Sequence, residues 1–253
     1  MKKTALYLAI IFAFSACKQS EQPMYQFSTI ESLMAGNYDG QRHVESLKSF
    51  GDFGIGTFNK LDGEMIFYKG EIFKVKSDGT VCQSSSDETT PYASVCWFQP
   101  SIIFTIPTIS KLSELDSLIK MHLPNSKYIY ALEITGLFDS VKYRSVAKQN
   151  KPYRPLIEVV NRQVVFHHEK IKGTLLGFYA PTSVKDVMVK GMHLHLLSDD
   201  LKYGGHLLNV TSKQKITCRI AIYSGMQLDL HQAKISSQKE QKVQQSDIEK
   251  VEK

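Results

Sequence analysis

The chain has four cysteines in 253 residues, one tryptophan, and no Cys-x-x-Cys or Cys/His finger spacing. A disulfide-dense scaffold and a structural zinc finger are therefore excluded. No apolar run reaches 18 residues, so nothing reads as an ordinary membrane-spanning helix. The nucleophile elbow G-x-S-x-G and the metalloprotease motif H-E-x-x-H are both missing. Positive charge is not concentrated either: 31 Lys and Arg against 25 Asp and Glu leave +6, with the signs interspersed. Without a basic stripe interleaved with aromatics, a pI near 9.0 bears on solubility, and no nucleic-acid partner is expected. What remains is ordinary globular composition, 42% hydrophobic and 22% charged. Folding at this length removes roughly 70 to 75% of the unfolded surface from water, enough for one or two packed domains without staples.

The first residues have the layout of an export signal. Lys2 and Lys3 precede an apolar run from Ala5 to Phe14, too short to span a bilayer. The Ser15-Ala16-Cys17 that follows resembles the lipobox of bacterial lipoproteins, with Phe14 where Leu is usual; a plain secretory signal is the alternative. The expectation is that residues 1–16 are cleaved and Cys17 is lipidated. The mature chain is then exported, periplasmic or anchored at the outer membrane, and touches the membrane only through its lipid. Cys82, Cys96 and Cys218 remain. A Cys82–Cys96 bridge would close a loop of about 15 residues and contribute about 3 kcal/mol; two buried thiols on neighbouring strands are the other reading.

After a polar linker over 18–22, Ser28-Thr29-Ile30-Glu31 has the pattern of a helix capping box, and Gly36-Asn37 supplies a stop. From Gly51 the texture becomes glycine-punctuated, β-branched and aromatic, predicting a meander over 65–68, 71–75 and 80–82. Leu112, Leu115, Ile119 and Leu123 recur at helical spacing before Pro124. Strands are predicted again over 128–138, 141–146, 156–160, 163–166, 174–180 and 187–197. The fold class expected is β-rich α+β: two mixed β-sheet or barrel-like subdomains with a few short helices. The subdomains are 17–124 and 125–231, the second carrying the candidate metal site. By composition alone the tail 232–253 reads as a solvated end.

The densest constellation is Gly191-Met192-His193-Leu194-His195 followed by Gly204-Gly205-His206. Residues two apart on a strand share a face, so His193 and His195 project side by side. A turn through 198–205 lets His206 come back to the same spot, with two glycines permitting close backbone approach. Three neutral imidazoles with one open position are a ligand set for catalytic zinc or a similar divalent ion; paired strand histidines are also found as half-buried polar residues. His167 and His168 are adjacent and face opposite sides; with His43, His122 and His231 they read as surface or satisfied core residues. The glycine-rich stretch from Gly51 to Thr57 precedes a strand, so no helix N-terminus is available for a pyrophosphate. Glu64 stands at a strand start. Arg144, sharing a strand face with Lys142, reads by itself as solvated.

The stretches GDFGIGTFNKLDGEMI, TPYASV, EITGLFDSVKYRSV, GTLLGFYAP and GMHLHLLSDDLKYGGHLLN, in that order, closely resemble the alpha-acetolactate decarboxylase family. The resemblance runs from about Tyr25 to the C-terminus, and H-L-H-L-L-S and G-G-H-L-L-N are its most specific elements. It implies a homodimeric zinc enzyme, one Zn2+ per chain, that converts 2-acetolactate to acetoin and carbon dioxide. It places the metal ligands on His193, His195 and His206, and the other catalytic groups on Glu64, Arg144, Thr57 and a carboxylate near the C-terminus, Glu252, with Glu249 as the neighbouring choice. The tail 232–253 must then fold back toward the site. Leu196 and Asn209 stand where many members have Phe and Asp, which bears on pocket shape. Two alternatives differ in class. A cupin-like metal enzyme also uses an H-x-H strand, but adds a Glu a few residues on where this chain has Ser198-Asp199-Asp200. A non-catalytic metal-binding envelope lipoprotein would use the same histidines without needing Glu64, Thr57 or Arg144.

Overall fold

The computed structural model describes residues 22–230 and 245–252. The expected signal segment, Cys17 and His231 lie outside the described residues. In chain order the strands are β1 (Met24–Phe27), β2 (Arg42–His43), β3 (Phe53–Thr57), β4 (Glu64–Tyr68), β5 (Glu71–Val75), β6 (Val81–Gln83), β7 (Thr89–Thr90) and β8 (Ala93–Cys96). They continue with β9 (Ile102–Ile106), β10 (Ile129–Ser145), β11 (Val164–Ala180), β12 (Gly191–Ser198), β13 (Gly204–Thr211), β14 (Ile216–Tyr223) and β15 (Met226–Asp229). The helices are α1 (Ile30–Met34), α2 (Leu112–Lys120), α3 (Leu156–Val160) and α4 (Gln245–Glu252).

Two sheets carry the fold, as a β-rich α+β class requires. The first has the order β15-β1-β8-β3-β4-β5-β6, and the second β11-β12-β13-β10-β14-β9 with β11 also pairing β10. That extra pairing closes β10, β11, β12 and β13 into a ring. The chain changes sheets between Cys96 and Ile102, ahead of the boundary expected near 124, and returns to the first sheet through β15, which runs parallel to β1. The reason is edge pairing: β9 completes the β14 edge and β15 completes the β1 edge.

Alternation along β10 divides the interior. Leu132 and Ile134 point into a cluster with Phe138, Leu175, Leu196 and Ile220, covered by Leu115 and Ile119 of α2. Ile129 and Ala131 point the other way, onto Phe53, Ile66, Leu176 and Phe178 between the sheets. Between the sheets the Glu133 carboxylate accepts from Tyr68 Oη at 2.8 Å and Arg219 Nη1 at 2.9 Å, which satisfies a charge that burial would otherwise penalise.

Several local expectations are corrected. Thr29, not Ser28, caps α1: its Oγ1 accepts from Ser32 N at 3.1 Å, while Ser28 takes φ 62°. Residues 128–138 and 141–146 form one strand, β10, and 163–166 and 174–180 lie in another, β11, since the two pair in one antiparallel register from Tyr130↔Tyr179 to Ser145↔Val164. The segment 187–197 becomes a strand only from Gly191. Residues 156–160, read as a strand from their β-branched content, are the helix α3. Leu156, Val159 and Val160 are buried at helical spacing against α1 and α4, and packing overrides propensity. The end of the chain, polar by composition, forms α4, with Ile248 and Val251 buried in that same helical cluster.

Cys82, Cys96 and Cys218 are free thiols. Cys82 lies on β6 and Cys96 on β8, with β3, β4 and β5 between them. Four strand spacings amount to roughly 19 Å, against the 7 Å or less between Cα atoms that a bridge allows. We expect all three thiols to alkylate in denaturant without prior reduction, and the melting temperature to be indifferent to reductant. A mass shift on reduction at Cys82 and Cys96 would contradict this topology.

Candidate metal centre

The pocket between the sheets is built by register. On β12, His193 and His195 are two residues apart and share a face; β13 runs back antiparallel and sets His206 opposite His195. The return needs glycine: Gly205 has φ +138°, and a Cβ there would lie 2.4 Å from the Arg144 carbonyl oxygen. The other neighbour of β13 is β10, which sets Arg144 opposite His206. One strand thus carries a histidine flanked by a histidine and an arginine.

All three rings are buried, and one nitrogen from each lies within 4.8 Å of the others. His193 Nε2 is 3.1 Å from His206 Nδ1. His195 Nδ1–H donates to the Met65 carbonyl at 3.0 Å, which fixes the tautomer and leaves the Nε2 lone pair for the pocket. Burial, reinforced by the Arg144 guanidinium, pushes His193 down to about 3. Burial also holds His195 well below the ordinary imidazole range, with His193 and Arg144 adding to it and the Met65 hydrogen bond opposing it. His193 and His195 are therefore neutral donors. Three imidazole nitrogens sharing one ion at about 2.0–2.1 Å lie roughly 3–4 Å apart; these three, all within 4.8 Å of one another, need to close by less than about 1–2 Å to hold a divalent ion.

The first sheet supplies the other wall. Thr57 ends β3 and Glu64 begins β4 directly opposite it. Thr57 Oγ1 donates to the Gly63 carbonyl at 2.8 Å, so toward the pocket the hydroxyl presents lone pairs. Glu64 Oε1 accepts from Arg144 Nη1 at 3.0 Å, and its Oε2 lies 3.8 Å from His195 Nε2. Arg144, 4% exposed, also donates from Nη2 to the Val251 carbonyl of α4 at 3.1 Å. Arg144 by itself in the sequence reads as solvated; its strand is covered on both faces, which one-strand alternation does not reveal.

His193, His195, His206, Glu64, Arg144 and Thr57 therefore line one pocket. Glu252 is the last residue of α4; its side chain, like that of Glu249, lies outside the described residues. His43, His122 and His167 are exposed, and none of them lines the pocket. Leu196 and Asn209 do not line it either: Leu196 is buried inside the ring, and Asn209 Oδ1 accepts from Leu112 N at the start of α2 at 2.8 Å. Neither bears on pocket shape as the sequence suggested. The sequence reading passed over an apolar wall of Ile30, Leu33, Leu61, Tyr92, Val146 and Leu156. Helical spacing of Ile30 with Leu33, and of Leu156 with Val159 and Val160, was the available signal.

The sequence profile described as alpha-acetolactate decarboxylase matches residues 24–242. A protein named alpha-acetolactate decarboxylase from Methanosarcina mazei is 43% identical over 187 residues, 74% of this chain and 65% of its own length. One of the same name from Bacillus subtilis is 36% identical over 84% of this chain and 83% of its own. The crystal structure of alpha-acetolactate decarboxylase from Bacillus subtilis strain 168 superposes with a TM-score of 0.86 at 34% identity, covering 90% of this chain and 98% of that one.

Neutral buried histidines set a pH dependence. The unfolded chain takes up protons on these imidazoles near pH 6.5, whereas folded His193 does so only near 3. Between those values the unfolded state binds more protons, so acidification destabilises the fold. In chelator, the unfolding free energy from denaturant titrations should fall from pH 7 to pH 5, by up to about 1.4 kcal/mol per pH unit per histidine, and His193→Gln should flatten the slope. An unfolding free energy constant across that interval would refute the burial argument.

Proposed function

Since the chain belongs to the alpha-acetolactate decarboxylase family, we propose that His193, His195 and His206 hold one divalent ion, zinc by the preference of three imidazoles, and that the pocket converts 2-acetolactate (2-hydroxy-2-methyl-3-oxobutanoate) to acetoin and carbon dioxide. The observation that carries this reading is the Glu64–Arg144 pair set against the three imidazoles in one buried pocket. A protein that merely stored metal has no use for that pair.

Losing carbon dioxide leaves an electron pair on C2 that the neighbouring ketone must accept. The bound ion would supply Lewis acidity toward the ketone and hydroxyl oxygens, with no redox change. Arg144 brings a permanent charge and a planar fork, suited to orienting the substrate carboxylate and then to steadying the negative charge that develops. Its side chain is buried, where such a charge acts more strongly than in water. Thr57, its proton committed to Gly63, accepts from the substrate hydroxyl. The C2 carbon finally takes a proton in place of the carboxyl group. Glu64, between Arg144 and His195, is one carboxylate that would hold or deliver it, and the family resemblance supports Glu252 as the other. Ile30, Leu33, Val146 and Leu156 offer an apolar wall to the two methyl groups.

The amino-terminal pattern supports export and lipid attachment at Cys17, and the family resemblance supports a homodimer. Metal analysis together with an acetoin assay tests the central claim. His195→Ala should lose bound metal and acetoin formation together; a variant with stoichiometric zinc and normal turnover would remove His195 from the ligand set. Arg144→Lys should keep the metal and lose activity by orders of magnitude, because the ammonium retains charge without two-pronged geometry. Wild-type turnover in that variant would take Arg144 out of the reaction.

A further inference from the structure

Lys74 is a buried cation that the site described above does not use. It lies on β5 opposite Met65, on the face of the first sheet turned away from Glu64. Its side chain is 8% exposed, and its Nζ donates to Asp62 Oδ2 at 2.8 Å and Glu88 Oε1 at 2.6 Å, with the Phe58 ring centroid 4.9 Å away. A buried ammonium persists where carboxylates satisfy it, and these two come from different loops. Glu88 is itself anchored, accepting from Ser84 Oγ at 2.8 Å and Ser85 N at 3.2 Å. Asp62 belongs to the turn that joins β3 to β4.

That turn is an unusual one. Lys60 and Leu61 both take left-handed backbone, φ 64° and 55°, and Gly63 follows at φ 95°. Side-chain-bearing residues stay in that region only when their surroundings over-determine them. Here Lys60 N donates to the Tyr38 carbonyl at 2.7 Å, its carbonyl accepts from Gln149 N at 2.7 Å, and Asp62 is tied to Lys74. The turn positions three parts of the pocket. Thr57 and Glu64 are its two ends, the Gly63 carbonyl takes the Thr57 proton, and Leu61 lines the wall.

Resting on the decarboxylase reading, we propose that Lys74 is a positioning residue for this reaction, holding the 58–63 turn through Asp62 so that Thr57, Leu61 and Glu64 keep their places around the substrate. Small displacements of such groups reduce the rate of the chemical step without abolishing binding. The effect reaches the pocket through the turn, not through the metal ligands, which lie on β12 and β13.

The test compares the full zinc-loaded protein with its Lys74→Met, Lys74→Arg and Asp62→Asn variants, measuring kcat and KM for acetoin formation from 2-acetolactate, bound zinc and melting temperature. Lys74→Met should keep stoichiometric zinc and lose at least about tenfold in kcat with little change in KM. Lys74→Arg should recover most of the rate, since a guanidinium can serve both carboxylates. Asp62→Asn, which leaves the Lys74–Glu88 pair in place, should reproduce the kcat loss, and it decides the question alone if Lys74→Met does not fold. Wild-type kcat in folded Lys74→Met or in Asp62→Asn overturns the proposal, as does a rate loss matched by an equal loss of zinc. Zinc-loaded wild-type protein that forms no acetoin would instead overturn the decarboxylase reading, and this inference with it.

Discussion

The site depends on strand register. Arg144 on β10 stands opposite His206 on β13, and His206 stands opposite His195 on β12. A slip of one residue in either pairing would turn one member to the opposite face of the sheet. The register is secured by apolar residues that alternate with the polar ones: Leu194, Leu196 and Leu207 enter the same interior cluster as Tyr143. The forces that fold the ring are therefore the ones that bring the three histidines together. Gly205 lets the strands approach closely enough for that pairing.

Electrostatics at the pocket follow from where charge is allowed. Burial holds the His193 and His195 imidazoles neutral, each with a lone pair to offer, beside the cationic Arg144 side chain. Glu64 balances it at 3.0 Å. Pairs of this kind are costly to desolvate and contribute little to stability by themselves. Their presence in a pocket lined by neutral donors is an expense that chemistry explains and folding does not.

Much of this was legible in the sequence where the pattern is local. The H-x-H alternation and the returning Gly-Gly-His gave three convergent rings because a two-residue period and a tight return are properties of short segments. The β5 and α2 predictions stood because their patterns are repetitive. What escaped was non-local. Leu156 to Val160 reads as a strand until α1 and α4 are present to bury one helical face of it. Cys82 and Cys96, close in sequence, are separated by three strands that only the sheet order reveals. Composition left the 245–252 segment unstructured, because its apolar residues are few; among the described side chains Ile248 and Val251 carry the packing. The left-handed turn at Lys60 and Leu61 leaves no compositional trace, as neither residue type favours it.

The bond from Arg144 to the Val251 carbonyl spans 107 positions of the chain. At the roughly 5 to 20 residues per second of protein synthesis, the guanidinium is made several seconds before Val251 exists. Through that interval the ring of β10 to β13 can close, but α4 cannot dock and the helical cluster over the pocket lacks Ile248 and Val251. Until α4 has been made, the pocket histidines therefore lack the part of their cover that Ile248 and Val251 complete.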